Sequence, residues 1–297
     1  MERQICGSGS KTRNYLMKVL VTGATGFIGN YVVNELLNRN IDVITSSSDL
    51  SKAREKEWFE KTTYVEHDIH SNNIENLFDK FFKPDILIHL AWAGLNNFKN
   101  ESHVIEELPK QKVFLENLIS NGLKDVTVCG TCLEYGMAEG ELHEDMPSVP
   151  TIAYPIAKNN LRLFLQNLKN EFSFSLKWMR IFYLHGAGQS PKSILSQLQK
   201  AIDSNETVFN MSLGEQVRDY LPVTEVSQNI IKLALQTKTD GIVNCCSNNP
   251  IKIIELVQSY LKTKNKNIQL NLGYYPYTDY EPMKFWGSNK KLNTISL

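Results

Sequence analysis

The sequence predicts an α/β fold built on a doubly wound parallel sheet with a smaller C-terminal lobe, and two observations carry that expectation. The first is alternation: strand-like apolar runs are separated by stretches with helical spacing for most of the chain. That is the pattern of a parallel sheet with right-handed crossovers and helices on both faces. The second is a single junction. Val19-Leu20-Val21-Thr22 runs straight into Gly23-Ala24-Thr25-Gly26-Phe27-Ile28-Gly29, after which Val32, Val33, Leu36 and Leu37 recur at helical spacing. Apolar run, glycine turn and amphipathic run read as strand, tight turn and helix.

Each element follows from the same criteria in chain order. Short apolar and β-branched runs predict strands over Lys18–Thr22, Asp42–Thr45, Thr62–Glu66, Asp85–Leu90, Asp125–Cys129 and Phe174–Ile181. Helical periodicity between them predicts helices over Ile28–Arg39, Asn72–Phe82, Ser102–Asn121 and Ile152–Lys169. Beyond Gly186 the alternation loosens. A helix is expected over Ser193–Asp203, a strand over Glu206–Asn210, a helix over Val223–Gln236, a strand over Gly241–Cys245 and a helix over Ile251–Leu261. A tail rich in tyrosine and proline ends the chain. The expected organisation is a nucleotide-binding unit over 17–185, with returns near 206–246, and a mainly substrate-binding lobe over 186–297. Residues 1–16 carry Gly7-Ser8-Gly9-Ser10 and no apolar core of signal-peptide length, and read as a tag or an extended, disordered start.

Composition bounds the function. With 297 residues, 42% of them hydrophobic, the chain can bury a sizeable core. Lys plus Arg equals Asp plus Glu at 32 each, so no global charge favours nucleic acid or an anionic membrane. No stretch reaches the roughly 18 apolar residues of a membrane span. Cys129 and Cys132 form C-x-x-C without a second ligand pair, which reads as buried apolar cysteine and predicts no metal site. The cysteine usage fits a reducing cytoplasm.

The glycine turn carries the first chemical signal. Backbone N–H groups at a helix N-terminus suit a diphosphate. Gly23 and Gly26 let the backbone approach it, and Gly29 lets the helix pack against the strand. Thr25, Phe27 and Ile28 fall in the same cradle. A dinucleotide implies hydride chemistry, and reducing a ketone also requires a proton donor. The strand Asp125–Cys129 leads to Thr131, and Tyr154 and Lys158 stand four apart on one helix face. A nearby ammonium favours tyrosinate and brings a tyrosine, with ordinary pKa about 10, nearer to working pH. The Thr131 hydroxyl can hold the same oxygen.

TGATGFIG, then GTCLEYG, then YPIAK, in this order and at these separations, resembles the extended short-chain dehydrogenases/reductases. More narrowly, it resembles the NAD-dependent epimerase/dehydratase group acting on nucleoside-diphosphate sugars. The resemblance implies a Rossmann-type fold over nearly all of 17–297 and a catalytic triad of Thr131, Tyr154 and Lys158. It places Asp68 and Ile69 at the adenine, and Leu90, Ala91 and Trp92 along the cofactor, with Trp92 also walling the sugar. Cys132, Glu134 and Tyr183 fall at the substrate, and Arg218 of Arg218-Asp219-Tyr220 meets its diphosphate. At Tyr183 the sequence departs from the family, which often has Asn there. The helices Ser102–Asn121 and Ile152–Lys169 are those the family uses to form homodimers.

The second strand ends in Ser46-Ser47-Ser48-Asp49, with Lys52 and Arg54 following. Hydroxyls at the tip and cations beyond it suit a 2′-phosphate, so Ser46, Ser47 and Arg54 favour NADPH, with NAD the alternative. Thr131 is followed by Cys132-Leu133 rather than Asp-Glu, which disfavours dehydration. The expected activity is 4-ketoreduction of a nucleoside-diphosphate 4-keto-6-deoxyhexose, with dTDP a candidate carrier, and the resemblance is to dTDP-4-dehydro-6-deoxyglucose reductases. The alternatives are an NAD-dependent 4-epimerase and a non-catalytic dinucleotide-binding scaffold.

Overall fold

The computed structural model describes residues 17–71 and 75–296. The expected extended start over 1–16 lies outside the described residues, as do residues 72–74 of the expected Asn72–Phe82 helix.

Five parallel strands precede residue 132: β1 (Lys18–Thr22), β2 (Asp42–Ser47), β3 (Thr63–Glu66), β4 (Ile86–His89) and β5 (Asp125–Thr131). Ser175–Ile181 and Gly241–Cys245 complete a seven-stranded parallel sheet among the described residues. Its order is Gly241–Cys245, Ser175–Ile181, β5, β4, β1, β2, β3. The chain winds outward from β1 to β3, crosses back, and continues from β4 in the other direction. A crevice therefore opens between β1 and β4 at the carboxyl ends of the strands, where doubly wound sheets bind ligands. Alternate residues feed the two faces. Val19 and Val21 join Val33, Leu36, Ile230 and Val243 in one core. Leu20 joins Leu87, Phe114, Leu115, Val126, Leu161 and Trp178 in the other.

Several boundaries differ from expectation for local reasons. β2 runs on to Ser47 because Ser46 pairs with Thr22 and Ser47 with Glu66. β5 runs on to Thr131 because Gly130 and Thr131 pair with Arg180 and Ile181. Ser46, Ser47 and Thr131 thus sit on rigid strand ends rather than in loops. The expected Asn72–Phe82 helix contracts to Leu77–Lys80. Asn76 caps its start, and positive φ at Phe82 (56°) and Lys83 (55°) ends the helical path. Ser102–Asn121 splits into a π-turn, His103–Glu107, and an α-helix, Leu108–Ser120. Pro109 has no N–H to donate and is accommodated only in a helix's first turn.

The C-terminal third weaves between layers. The chain returns to the central sheet over 223–245, through the helix Val223–Leu235 and the strand Gly241–Cys245, and Leu292 and Ile295 reach the same core. The strand expected over Glu206–Asn210 is Val208–Asn210, and it pairs with Gln269–Asn271 outside the central sheet. It belongs to a separate cluster with Leu198, Phe209, Met211 and Val257. The helix expected from Ile251 starts at Ile253, because Pro250–Lys252 pair with Val217–Pro222. That strand also pairs with Tyr183–His185, and Phe285–Gly287 pairs with Gly140–Leu142. These short pairings bring Tyr183, Arg218 and the tail to one end of the crevice. No helix among the described residues is long and apolar enough to cross a membrane.

Candidate active site

A cavity of about 620 Å³ occupies the crevice. Its first wall is the glycine turn. Gly23 has φ +68°, and a Cβ there would lie 2.8 Å from the Ala91 backbone nitrogen. A Cβ on Gly29 would lie 2.2 Å from the Gly23 carbonyl oxygen. Gly26 precedes the helix Phe27–Asn38 without a side-chain cap, and the first turn lines the cavity with Thr25, Phe27 and Ile28. Orphan N–H groups at an uncapped helix start and a floor free of side chains fit a dinucleotide diphosphate.

At one end Ser46, Ser47 and Ser48 line the wall, facing Asp68 and Ile69. Tyr64 donates to the Ser47 carbonyl at 3.1 Å, and its hydroxyl lies 3.0 Å from Ser47 Oγ. Asp49 caps the next short helix, accepting from the Lys52 backbone N–H at 3.0 Å, and that bond holds its carboxyl below the usual range. Lys52 is itself paired with Asp49 at 3.2 Å. Arg54 is exposed and does not line the cavity. The structure therefore brings the expected hydroxyls to this end without the cation that the NADPH reading placed there.

At the middle of the crevice Thr131, Tyr154 and Lys158 converge on the cavity. Lys158 Nζ donates to the Cys129 carbonyl at 3.0 Å and lies 4.0 Å from the centre of the Trp92 ring. Burial pulls its ammonium down to about 8. Burial pushes the Tyr154 phenol up. The Tyr154 ring stacks on Phe98, with centroids 5.0 Å apart, and meets the Trp92 ring edge-on at 6.0 Å.

Glu134 is placed differently from expectation. It is fully buried beneath Thr131 and does not line the cavity. Its carboxylate accepts from the Thr131 backbone at 2.9 Å, Trp178 Nε1 at 3.0 Å and Arg180 Nε at 2.9 Å. It holds the strand end that presents Thr131. Arg218 is also withheld. Its guanidinium donates to Glu281 at 2.9 Å, to the Tyr183 hydroxyl at 3.3 Å and to the Val217 and Met283 carbonyls. Glu281 lines the cavity in its place, together with Cys132 and Tyr183.

A buried polar chain escaped sequence reasoning. Thr22 Oγ1 lies 2.9 Å from His89 Nδ1, and His89 Nε2 lies 2.7 Å from Gln111 Oε1. Gln111 Nε2 donates to the Ala91 carbonyl at 3.1 Å and to Glu107 at 2.7 Å, and Glu107 pairs with His70 at 2.6 Å. Burial pulls His89 down to about 3, so its ring is neutral. With the Gln111 amide donating elsewhere, His89 Nε2 carries the proton and Nδ1 accepts from Thr22. The i, i+4 spacing of Glu107 and Gln111 was the available signal.

The model of the NAD-dependent epimerase/dehydratase family matches residues 19–246. The chain is 30% identical over 273 residues to a dTDP-6-deoxy-L-talose 4-dehydrogenase (NAD(+)) from Aggregatibacter actinomycetemcomitans, covering 92% of this chain and 100% of the relative. It is 24% identical over 264 residues to a dTDP-4-dehydro-6-deoxyglucose reductase from Escherichia coli, covering 84% and 82%. A UDP-N-acetylglucosamine 4-epimerase from Methanobrevibacter ruminantium superposes with a TM-score of 0.83 over 95% of this chain and 92% of that one, at 20% identity, and shares the fold.

Two substitutions test this geometry. Gly29→Ala drives a methyl group into the Gly23 carbonyl, and loss of both stability and nicotinamide-dinucleotide binding is expected by denaturant melts and equilibrium binding. Glu134→Ala strands the buried Arg180 charge and is expected to cost about 3–5 kcal/mol of stability by denaturant unfolding.

Proposed function

The chain belongs to the NAD-dependent epimerase/dehydratase family, and on that premise we propose that it moves hydride at C4 of a 6-deoxyhexose carried on a nucleoside diphosphate. The observation that carries this reading is the convergence of Thr131, Tyr154 and Lys158 on one cavity whose adjoining wall is a dinucleotide cradle. Two relatives are named as a dTDP-6-deoxy-L-talose 4-dehydrogenase and a dTDP-4-dehydro-6-deoxyglucose reductase, and both names point to position 4 of a dTDP-linked 6-deoxysugar. Reduction of the 4-ketone is the direction proposed here.

When bound, the nicotinamide supplies the hydride. The residues that would hold the dinucleotide are the Gly23–Gly29 turn, Ser46, Ser47, Asp68, Ile69 and the Leu90–Trp92 segment. Tyr154 gives its proton to the ketone oxygen, and Thr131 hydrogen-bonds the same oxygen. The Lys158 ammonium stabilises the tyrosinate left behind, opposing the burial that pushes the phenol up. Phe98 and Trp92 keep water from the phenol. Elimination is disfavoured, because Glu134, the carboxylate beneath Thr131, is bound to Trp178 and Arg180 and does not line the cavity. NAD(H) is favoured over NADPH: Arg54 stands away from the cavity, the Asp49 carboxylate stands beside the strand end, and the dehydrogenase relative is NAD(+)-linked. A homodimer is supported by exposed apolar residues on both expected segments, Ile105 at 66% and Val113 at 62% on the first and Leu163 at 43% on the second. Sedimentation tests it.

Incubation with NADH and a dTDP-4-keto-6-deoxyhexose is expected to consume both at equal rates. Epimerisation of a UDP-sugar without net cofactor turnover would overturn the reading in favour of an epimerase. Tyr154→Phe is expected to lower kcat by about 100- to 10,000-fold while leaving NADH binding intact. The Lys158 ammonium exists below its pKa of about 8 and is lost above it. Reduction is therefore expected to fall as pH rises through about 8, and Lys158→Met is expected to remove that limb from the profile.

A further inference from the structure

We propose that Trp92 and His103 form a positioning pair that holds the Lys158 ammonium beside Tyr154, the indole face acting on the chemistry through the lysine. This inference deepens the oxidoreductase reading above and rests on it for the role of Lys158.

The pair is built from the loop after β4 and the π-turn. His103 Nε2 lies 3.1 Å from the Asn97 carbonyl oxygen, which can only accept, so Nε2 carries the ring proton. Nδ1 is then free to accept, and Trp92 Nε1 donates to it at 3.1 Å. The two rings stack at 6.4 Å with 29° between planes. The indole is pinned at its N–H edge, and its face meets Lys158 Nζ at 4.0 Å. The Cys129 carbonyl takes one ammonium N–H at 3.0 Å. A buried ammonium between a carbonyl and an indole face has its position fixed from two sides, and the ring's negative face favours the charged form.

Two further features serve the arrangement. The π-turn His103–Glu107 winds wider than an α-helix and directs both of its buried side chains inward, His103 to Trp92 and Glu107 to Gln111 and Ala93. Gly94 makes room for His103: a Cβ there would lie 3.1 Å from the imidazole Cε1, at φ +76°. The Tyr154 ring lies 5.3 Å from the His103 ring and 6.0 Å from the Trp92 ring, so the pair also walls the phenol. The titratable groups around the ammonium are Tyr154 on its own helix, His89 on β4, Cys129 on β5, Glu134 beyond it and Glu107 on the π-turn.

The test is an NMR titration of the lysine side chains of cofactor-free, isotope-labelled protein, with the Lys158 signal identified by its loss in Lys158→Met. Trp92→Leu keeps the site apolar but removes the ring face, and the Lys158 midpoint is expected to fall by about one pH unit. Trp92→Phe retains a face and is expected to restore most of that shift. His103→Leu frees the indole edge and is expected to move the midpoint in the same direction as Trp92→Leu by a smaller amount. In the enzyme with NADH, the high-pH limb of kcat is expected to follow these midpoints. A Lys158 midpoint that is unchanged or raised in Trp92→Leu would overturn the proposal, and so would a high-pH limb of kcat that stays in place when the midpoint moves. If Trp92→Leu does not fold, Trp92→Phe and His103→Leu decide. Shifted midpoints without any ketosugar reduction would leave the pair standing and overturn the assigned reaction instead.

Discussion

The close approach of three backbone segments, at Gly23, Gly29 and Ala91, is the constraint on which the rest of the site depends. A Cβ at Gly23 or Gly29 would fall inside the van der Waals distance of its neighbours, so the turn, the first helix and the loop after β4 pack with almost nothing between them. The consequence reaches further than a diphosphate cradle. Ala91 is held at Gly23 from one side, and its carbonyl accepts from Gln111 on the other. Trp92 is the next residue, and its ring meets Lys158. The turn that would hold the cofactor and the lysine that would act beside it are thus joined through one short loop.

How much of this was legible in the sequence follows from how local each feature is. The glycine turn, the existence and order of the central strands and the Tyr154–Lys158 spacing depend on neighbours within a few residues and could be read directly, whereas the ends of β2 and β5 are set by pairing with neighbouring strands. Arg54, Glu134 and Arg218 were placed by their nearness to motifs, which says nothing about the direction of a side chain. Glu134 is drawn under the sheet by Trp178 and Arg180, and Arg218 is held by Glu281, partners brought together only by the fold. The π-turn was hidden because its residues continue an apolar periodicity, and Pro109 was its only local mark. The short pairings of the C-terminal third were hidden for another reason. Strands of three residues, such as Tyr183–His185 and Phe285–Gly287, carry too little pattern to register.

The two misplaced charges share one physical solution. Arg180 with Glu134, and Arg218 with Glu281, are buried ion pairs with further contacts: Arg180 Nη2 donates to the Ser148 hydroxyl and the guanidinium lies 4.2 Å over the Tyr135 ring, with Nη1 left unpaired, while Arg218 donates to backbone carbonyls. A buried charge without its partner is costly, and a buried pair is tolerated when its hydrogen bonds are met. Each pair sits beneath a residue that lines the cavity, Thr131 above the first and Tyr183 beside the second. Both pairs therefore hold the walls in place.

The charge balance of the cavity follows. With both arginines bound elsewhere, Lys158 is the only lysine or arginine among the described residues that line it. The buried ammonium has its pKa lowered by desolvation and raised by the neighbouring Cys129, Glu134 and Glu107, which leaves it at about 8. A lysine on the exposed face of the same helix would remain charged at any working pH and could not register the state of a neighbouring phenol. Burial makes the charge responsive, and the acidic groups of Glu134 and Glu107 help to keep it present at neutral pH. The same burial that raises the Tyr154 phenol lowers the ammonium one helical turn along, so two groups whose ordinary pKa values both lie near 10 are displaced in opposite directions on one helix face.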